Sequence, residues 1–222
     1  MHLWQLDLVS GIYLTDGREC KMLTGIDDHP RFVVVAAVLA VPSGRAVADA
    51  FLRAMRSYGV PGEVLTDNGT QFTGRFTQPR PAEVLFERVC RENGITQKLT
   101  KPYSPTTTGK IERWHATLRR ELLDVSGPFA DLPAAQAAIS GWVHTYSHNR
   151  PHQAIGMATP ASLFRPAANP NPSRSSRPLP RCRAQAPPSK PRPTGRPRPW
   201  AVWMARPASC CHPRPARSSS TR

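Results

Sequence analysis

The hydrophobic pattern sets out a mixed α/β chain before any single residue is considered. Residues 3–9, Leu3-Trp4-Gln5-Leu6-Asp7-Leu8-Val9, are an apolar run carrying one amide and one acid, and they predict a buried strand. Cys20 to Asp27 and Arg31 to Val41 predict two more strands, joined near Asp28-His29-Pro30. The run Phe32-Val33-Val34-Val35-Ala36-Ala37-Val38 is β-branched and nearly continuous, as expected of a central strand. Pro42-Ser43 then offers a helix start, and Val47, Phe51, Ala54 and Met55 give Arg45 to Tyr58 a helical period that Gly59 ends. Residues 62–66 predict a short fourth strand, ending at Thr66-Asp67 and the turn signal Asn68-Gly69.

Beyond this point the polarity rises. Thr73 to Pro81 reads as a loop. Ala82 to Asn93 reads as a helix with Val84, Leu85, Val89 and Cys90 inward, and residues 95–99 as a fifth strand. Pro102 to Thr107 form a Pro/Thr-rich connection, a long helix follows from about Thr108 to Asp124, and a last one from about Leu132 to Ser147. Three strands, a helix, a strand, a helix, a strand and then helices suit a mixed sheet with helices on its faces.

Charge divides the chain. Residues 1–164 carry 17 Lys/Arg against 15 Asp/Glu, whereas residues 165–222 carry 13 Lys/Arg and no acid. The second stretch also holds 14 of the 25 prolines and few apolar residues. It cannot bury enough surface to offset its ordering entropy, so a disordered Arg/Pro-rich tail is expected over 166–222, after one folded domain over 1–165. The five cysteines form no CxxC pair, which favours free thiols in a reducing cytosol over a disulfide or zinc framework. No run of 18 apolar residues exists to span a membrane, and the start lacks a basic region followed by an apolar one, the form of a secretory signal.

Three carboxylates fall where carboxylates are costly. Asp7 lies inside the first strand, Asp67 closes the fourth, and Glu112 lies in the first turn of the long helix. An acid held among apolar neighbours needs something to pair with it. Three of them, brought from two strands and a helix, suggest a shared cation, and carboxylate oxygens suit Mg²⁺ or Mn²⁺. Two such ions about 4 Å apart can clamp the attacking and leaving oxygens of a phosphoryl transfer. Simpler roles stand beside this one. Asp7 could bond a nearby backbone group or an arginine, Asp67 could form an Asx turn, and Glu112 could be a solvated helix carboxylate.

The segments WQLDLV, LTDNGTQF, SPTTTGKIERWHATLRREL and YSHNRPHQAIGMATPASLF, in that order, resemble the integrase catalytic core of bacterial insertion-sequence transposases, the DDE group shared with retroviral integrases. The resemblance covers residues 1 to about 165. It implies a ribonuclease H-like fold, a mixed five-stranded sheet flanked by helices, with the first strand central and the fourth beside it. It implies that Asp7, Asp67 and Glu112 are the catalytic triad and hold two Mg²⁺ (or Mn²⁺) ions. The implied function is metal-dependent DNA nicking and strand transfer in DNA integration and transposition. DNA would be the partner, as element ends and target, with the protein a homo-oligomer on it, cytoplasmic and nucleoid-associated.

Residues around the triad carry further expectations. Arg119 lies seven positions after Glu112, on the same helix face. The family often has a Lys or Arg at that offset, so Arg119 is a candidate phosphate contact beside the ions, against the plainer role of a surface charge. His115, three positions from Glu112, is read as a DNA contact or a packed histidine rather than a ligand. Lys110 lies at the helix start, where backbone N–H groups attract phosphate. Tyr103 and Trp114 could stack on bases or fill the core, with core packing preferred for Trp114. Asp27 and Asp28 are explained by a turn at His29-Pro30.

Two departures from the family pattern stand out. Glu112 follows Asp67 with 44 residues between, a long spacer whose extra length falls in Arg75 to Phe86. Relatives also carry an N-terminal helix-turn-helix, whereas only six residues precede Asp7 here. That leads to the expectation of an N-terminally truncated chain and to a second reading of the whole: a catalytically incomplete, DNA-binding transposase remnant. The tail composition suits a GC-rich gene read in a shifted frame, and Arg192-Pro193-Thr194-Gly195-Arg196-Pro197-Arg198 resembles minor-groove AT-hook peptides. Specific DNA reading, non-specific phosphate attraction and no evolved function are its three readings.

Overall fold

The computed structural model describes residues 2–75, 82–100 and 109–166, all within one compact unit, Met1–Leu179; a second unit, Pro180–Arg222, falls outside the described residues. The expectations for the tail, for Tyr103 and for the Pro102–Thr107 connection therefore lie outside the described residues.

Five strands form one sheet: β1 (Leu3–Tyr13), β2 (Glu19–Asp27), β3 (Val33–Leu39), β4 (Glu63–Thr66) and β5 (Thr96–Leu99), in the order β3-β2-β1-β4-β5. β1 is central. It runs antiparallel to β2, with Asp7 opposite Thr24, and parallel to β4, with Gln5 opposite Leu65. Carrying that parallel register two residues further sets Asp67 level with Asp7, just past the end of β4.

The pleat sorts side chains between two cores. Trp4, Leu6 and Val64 join Phe51, Met55, Phe86 and Phe72 on the face covered by α1 (Gly44–Tyr58) and α2 (Leu85–Glu92). Val9, Met22 and Ile26 join Ile111, Trp114, Leu118 and Ile139 on the other face, under α3 (Gly109–Leu118) and α5 (Leu132–His148). Asp7 shares the parity of Val9, so its side chain is directed to the α3 face. α1 begins where Ser43 accepts the Ala46 amide, and Asp131 caps α5 in the same way through Ala134.

Three elements differ from the sequence expectation. β3 is an edge strand, not a central one. It is nonetheless apolar along its length because α1 packs on one of its faces and α5 on the other. Continuous hydrophobicity here reports burial of both faces, not position in the sheet. In α2 the inward residues are Phe86, Val89 and Cys90, while Val84 is the N-cap. The long helix is not uniform either. After Leu118 it widens into a π-helical turn, Arg119–Leu123, before a last short turn, α4 (Asp124–Ser126). Glu121 in that turn is held by Trp142 of α5 at 3.3 Å and by Arg150, just past α5, at 2.8 Å. A short 3₁₀ turn, Gln153–Ile155, and α6 (Pro160–Leu163) close the described chain.

Candidate active site

The site lies at the C-terminal end of β4, beside the middle of β1, beneath the first two turns of α3. Asp7 is half-buried. Its Oδ1 accepts the Leu8 amide at 2.7 Å. Burial is the largest influence on its carboxyl and raises it to about 6; the Leu8 amide opposes this, and the charges of Asp67 and Glu112 raise it further. Both of the other candidate acids therefore act on Asp7 through space.

Asp67 is exposed and forms the Asx turn that the Asn68-Gly69 signal suggests: its Oδ1 accepts the Gly69 amide at 3.0 Å. Asn68 fastens the same turn to the end of β5 by donating to the Thr100 carbonyl at 3.0 Å. A Cβ on Gly69 would stand 3.0 Å from Asp67 Oδ1, so glycine lets the loop fold this tightly around the carboxylate. Glu112 is exposed in the first turn of α3. Among the described residues, no three His, Cys, Asp or Glu side chains are gathered closely enough to hold a metal ion. Asp7 thus senses the charges of the other two acids although the three do not close to ligand distance.

His115 joins the helix to the strands. Its Nε2 lies 2.8 Å from Thr24 Oγ1, and that hydroxyl donates to the Asp7 carbonyl at 2.9 Å. A hydroxyl has one proton, so with the proton committed to a carbonyl, Nε2 must be the donor and Nδ1 carries the lone pair. Nδ1 lies 3.7 Å from Asp7 Oδ2. The contact is within ion-pair reach but is not an ion pair, because burial first, and Arg119 second, press the imidazole down to about 4 and keep it neutral. Only 13% of the side chain meets solvent, so of the two expectations for His115 the packed histidine matches its placement. Trp114 is buried in the core at 2% exposure.

The two candidate cations are placed differently. Lys110 is in an ion pair: its Nζ reaches Asp28 Oδ2 at 2.7 Å, and Gln5 donates to the other oxygen at 2.7 Å. Arg119 is exposed and lies across the outer part of β1, donating to the Ser10 carbonyl at 3.1 Å. The β1 ladder shifts register between Val9 and Ile12, and Gly11 there has φ +94°, a conformation that suits glycine. A Cβ on Gly11 would come within 2.9 Å of the Arg119 guanidinium. Asp27 takes the His29 amide at 3.2 Å, in keeping with a turn role.

Thr24 and Gly11 were not among the residues singled out from the sequence. Thr24 had a signal, a hydroxyl inside the apolar stretch Met22-Leu23-Thr24-Gly25-Ile26, but its importance depends on facing Asp7, which only strand pairing reveals.

A mixed sheet with a central first strand, the fourth strand parallel beside it and carboxylates at that junction defines the ribonuclease H-like architecture. Within that class, two models of the integrase core domain match this chain over residues 1–105 and 93–160, and the chain belongs to that family. It is 34% identical over 161 residues to an uncharacterized 31.7 kDa protein of insertion element IS407 from Burkholderia multivorans, covering 72% of this chain and 54% of that protein. It is 32% identical over 160 residues to an uncharacterized 39.2 kDa protein of insertion element IS476 from Xanthomonas euvesicatoria, covering 72% and 43%. The chain thus spans about half the length of these curated relatives. Among solved structures it resembles the catalytic core domain of bovine immunodeficiency virus (BIV) integrase, with 26% identity, a TM-score of 0.55 and coverage of 73% of this chain and 93% of that one. The HTLV-2 integrase catalytic core domain in complex with magnesium shares the fold at 20% identity and a TM-score of 0.53, covering 73% and 95%.

Proposed function

We propose that this domain cuts and joins DNA strands at the ends of a mobile element, with Asp7, Asp67 and Glu112 as its catalytic and metal-binding carboxylates. The observation that carries the reading is the shared electrostatic field: Asp67 and Glu112 both raise the carboxyl of Asp7. Hard oxygen donors that repel one another fit Mg²⁺ or Mn²⁺, and an HTLV-2 relative of the same fold is described in complex with magnesium. Two such ions, when bound, would supply the positive charge that activates the attacking oxygen and stabilises the leaving one. The chain's own residues do the rest. Asp7 is held on the central strand, Asp67 on its Asx turn and Glu112 on α3, so the three approach from different elements. Arg119, exposed along the same helix, holds a DNA phosphate. Lys110 joins it by exchanging Asp28 for phosphate, while His115 lies behind them. Water then attacks at the element end, and the freed 3′-OH attacks the target phosphodiester, with no covalent protein–DNA intermediate.

The test is cleavage and strand transfer on pre-nicked end DNA of the host element, with Mg²⁺ or Mn²⁺. Asp67→Asn should abolish product while leaving the fold and DNA binding intact, because the amide keeps the shape and loses the charge. Glu112→Gln should do the same. A wild-type chain that folds, binds DNA and gives no more product than Asp67→Asn would instead favour the catalytically incomplete remnant. A homo-oligomer assembled on the DNA is part of the proposal.

A further inference from the structure

Two side chains, Thr24 and His115, bridge the helix that carries Glu112 to the strand that carries Asp7. Thr24 is the direct cross-strand partner of Asp7 and is fully buried. Its hydroxyl donates to the Asp7 carbonyl at 2.9 Å and faces His115 Nε2 at 2.8 Å. His115 is one helical turn beyond Glu112 on α3. Two hydrogen bonds therefore run from the backbone of Asp7, through β2, into the helix one turn from Glu112. The other contacts of α3 with this part of the sheet are the apolar ones of Ile111, Trp114 and Leu118 and, at its first turn, the ion pair of Lys110 with Asp28. The hydrogen-bonded bridge is directional and fixes the register of the helix against the strand.

We infer that Thr24 and His115 are positioning residues whose hydrogen-bonded bridge sets the separation between Asp7 and Glu112, and so sets the affinity of the proposed site for divalent cation. The inference rests on the functional reading above. Neither residue need touch the cation. The role of His115 is the Nε2–H bond to Thr24, with its lone-pair nitrogen turned to Asp7. Residues that orient metal ligands in this way typically change affinity by about 10–100-fold when removed.

The experiment measures Mn²⁺ affinity of the full chain by calorimetry, with folding followed by circular dichroism and metal-free DNA binding measured in parallel. Thr24→Val keeps the shape and removes the hydroxyl, whereas Thr24→Ser keeps it. His115→Gln places an amide nitrogen where Nε2 stands, and His115→Asn places one where Nδ1 stands. The expected result is a weakening of about 10–100-fold for Thr24→Val and His115→Asn. Thr24→Ser and His115→Gln should bind Mn²⁺ like the wild type, and metal-free DNA binding should be unchanged throughout. A bystander role in packing would move thermal stability alone. Folded Thr24→Val and His115→Asn variants with wild-type Mn²⁺ affinity would overturn the inference, as would His115→Gln falling as far as His115→Asn. The His115 pair is on a helix, so it keeps the test open if a change at buried Thr24 unfolds the chain. Asp7→Asn is the control: if it binds Mn²⁺ like the wild type, the proposed function fails, and this inference with it. If it loses Mn²⁺ while the bridge variants do not, only the inference fails.

Discussion

Asp7 lies in β1 and Asp67 just past the end of its parallel neighbour β4, yet the chain holds them in opposite ways. Asp7 is set in the middle of the central strand, half-buried, with Thr24 and His115 against it. Asp67 hangs on the end of a four-residue strand, exposed, and its oxygen is occupied by its own turn. One carboxylate is fixed by the sheet and carries a desolvation cost; the other is fixed only by a local turn and carries little. The difference teaches where a proposed metal site stores its strain. The cost of gathering negative charge falls on the buried strand, where the fold is strong enough to bear it, and the adjustable partner stays at the rim.

The sharpest way to break that comparison is to neutralise each acid and measure stability against pH, without added metal. The Asp7 carboxyl is raised above its value of 3.8 in an open chain, to about 6. Its stabilising contribution is therefore complete below about pH 4, falls away as pH rises through about 6, and stays lost above that. Asp7→Asn should remove that slope and stabilise the chain at pH 8 by about 2 kcal/mol, a linkage value discounted for the part of the side chain that water reaches. Asp67→Asn should change stability by less than about 0.5 kcal/mol, because it is exposed and asparagine makes the same turn. Urea unfolding of both variants from pH 4 to 8 decides this, and equal shifts would erase the distinction.

Gly11→Ala should come next, costing on the order of 1–3 kcal/mol for a side chain at φ +94°. Its Cβ also displaces the Arg119 guanidinium, so DNA affinity should fall as well. That second effect should vanish in an Arg119→Ala background, which a double-mutant cycle of DNA binding would show. Gly69→Ala should have the smallest effect on stability, within about 0.5 kcal/mol. Its Cβ nevertheless meets Asp67 Oδ1 at 3.0 Å and should turn the carboxylate, weakening Mn²⁺ binding more than folding.

Much of this was legible in the sequence, and the residues show why. Element order, the helix start at Ser43 and the turn at Asn68-Gly69 rest on local chemistry, and local chemistry survives folding. The placement of β3 was not legible, because an apolar run reports that both faces are covered but not which neighbours supply the cover. The π-helical turn at Arg119–Leu123 was not legible either, and its Glu121 is held by Trp142 and Arg150, more than 20 residues away. At the site, Asp7 is the acid whose cost was legible, a charge inside an apolar strand; Asp67 and Glu112 are exposed, so the cost read from their apolar neighbours falls on Asp7 alone. Thr24 and Gly11 were not legible, because their importance depends on strand register and on a side chain arriving from another element. The pairing of Lys110 with Asp28 was hidden for the same reason, since it crosses 82 residues.

The proposed function requires that Asp7, Asp67 and Glu112 form one electrostatic unit able to share a divalent cation. The most direct measurement is a carbon-13 NMR titration of the Asp7 carboxyl, with and without Mg²⁺. Without metal the midpoint should be near about 6, moving down when Asp67 or Glu112 is neutralised; with saturating Mg²⁺ it should fall below about 4. A midpoint at an ordinary carboxylate value without metal, or one that ignores both Mg²⁺ and the neutralised partners, would contradict the account.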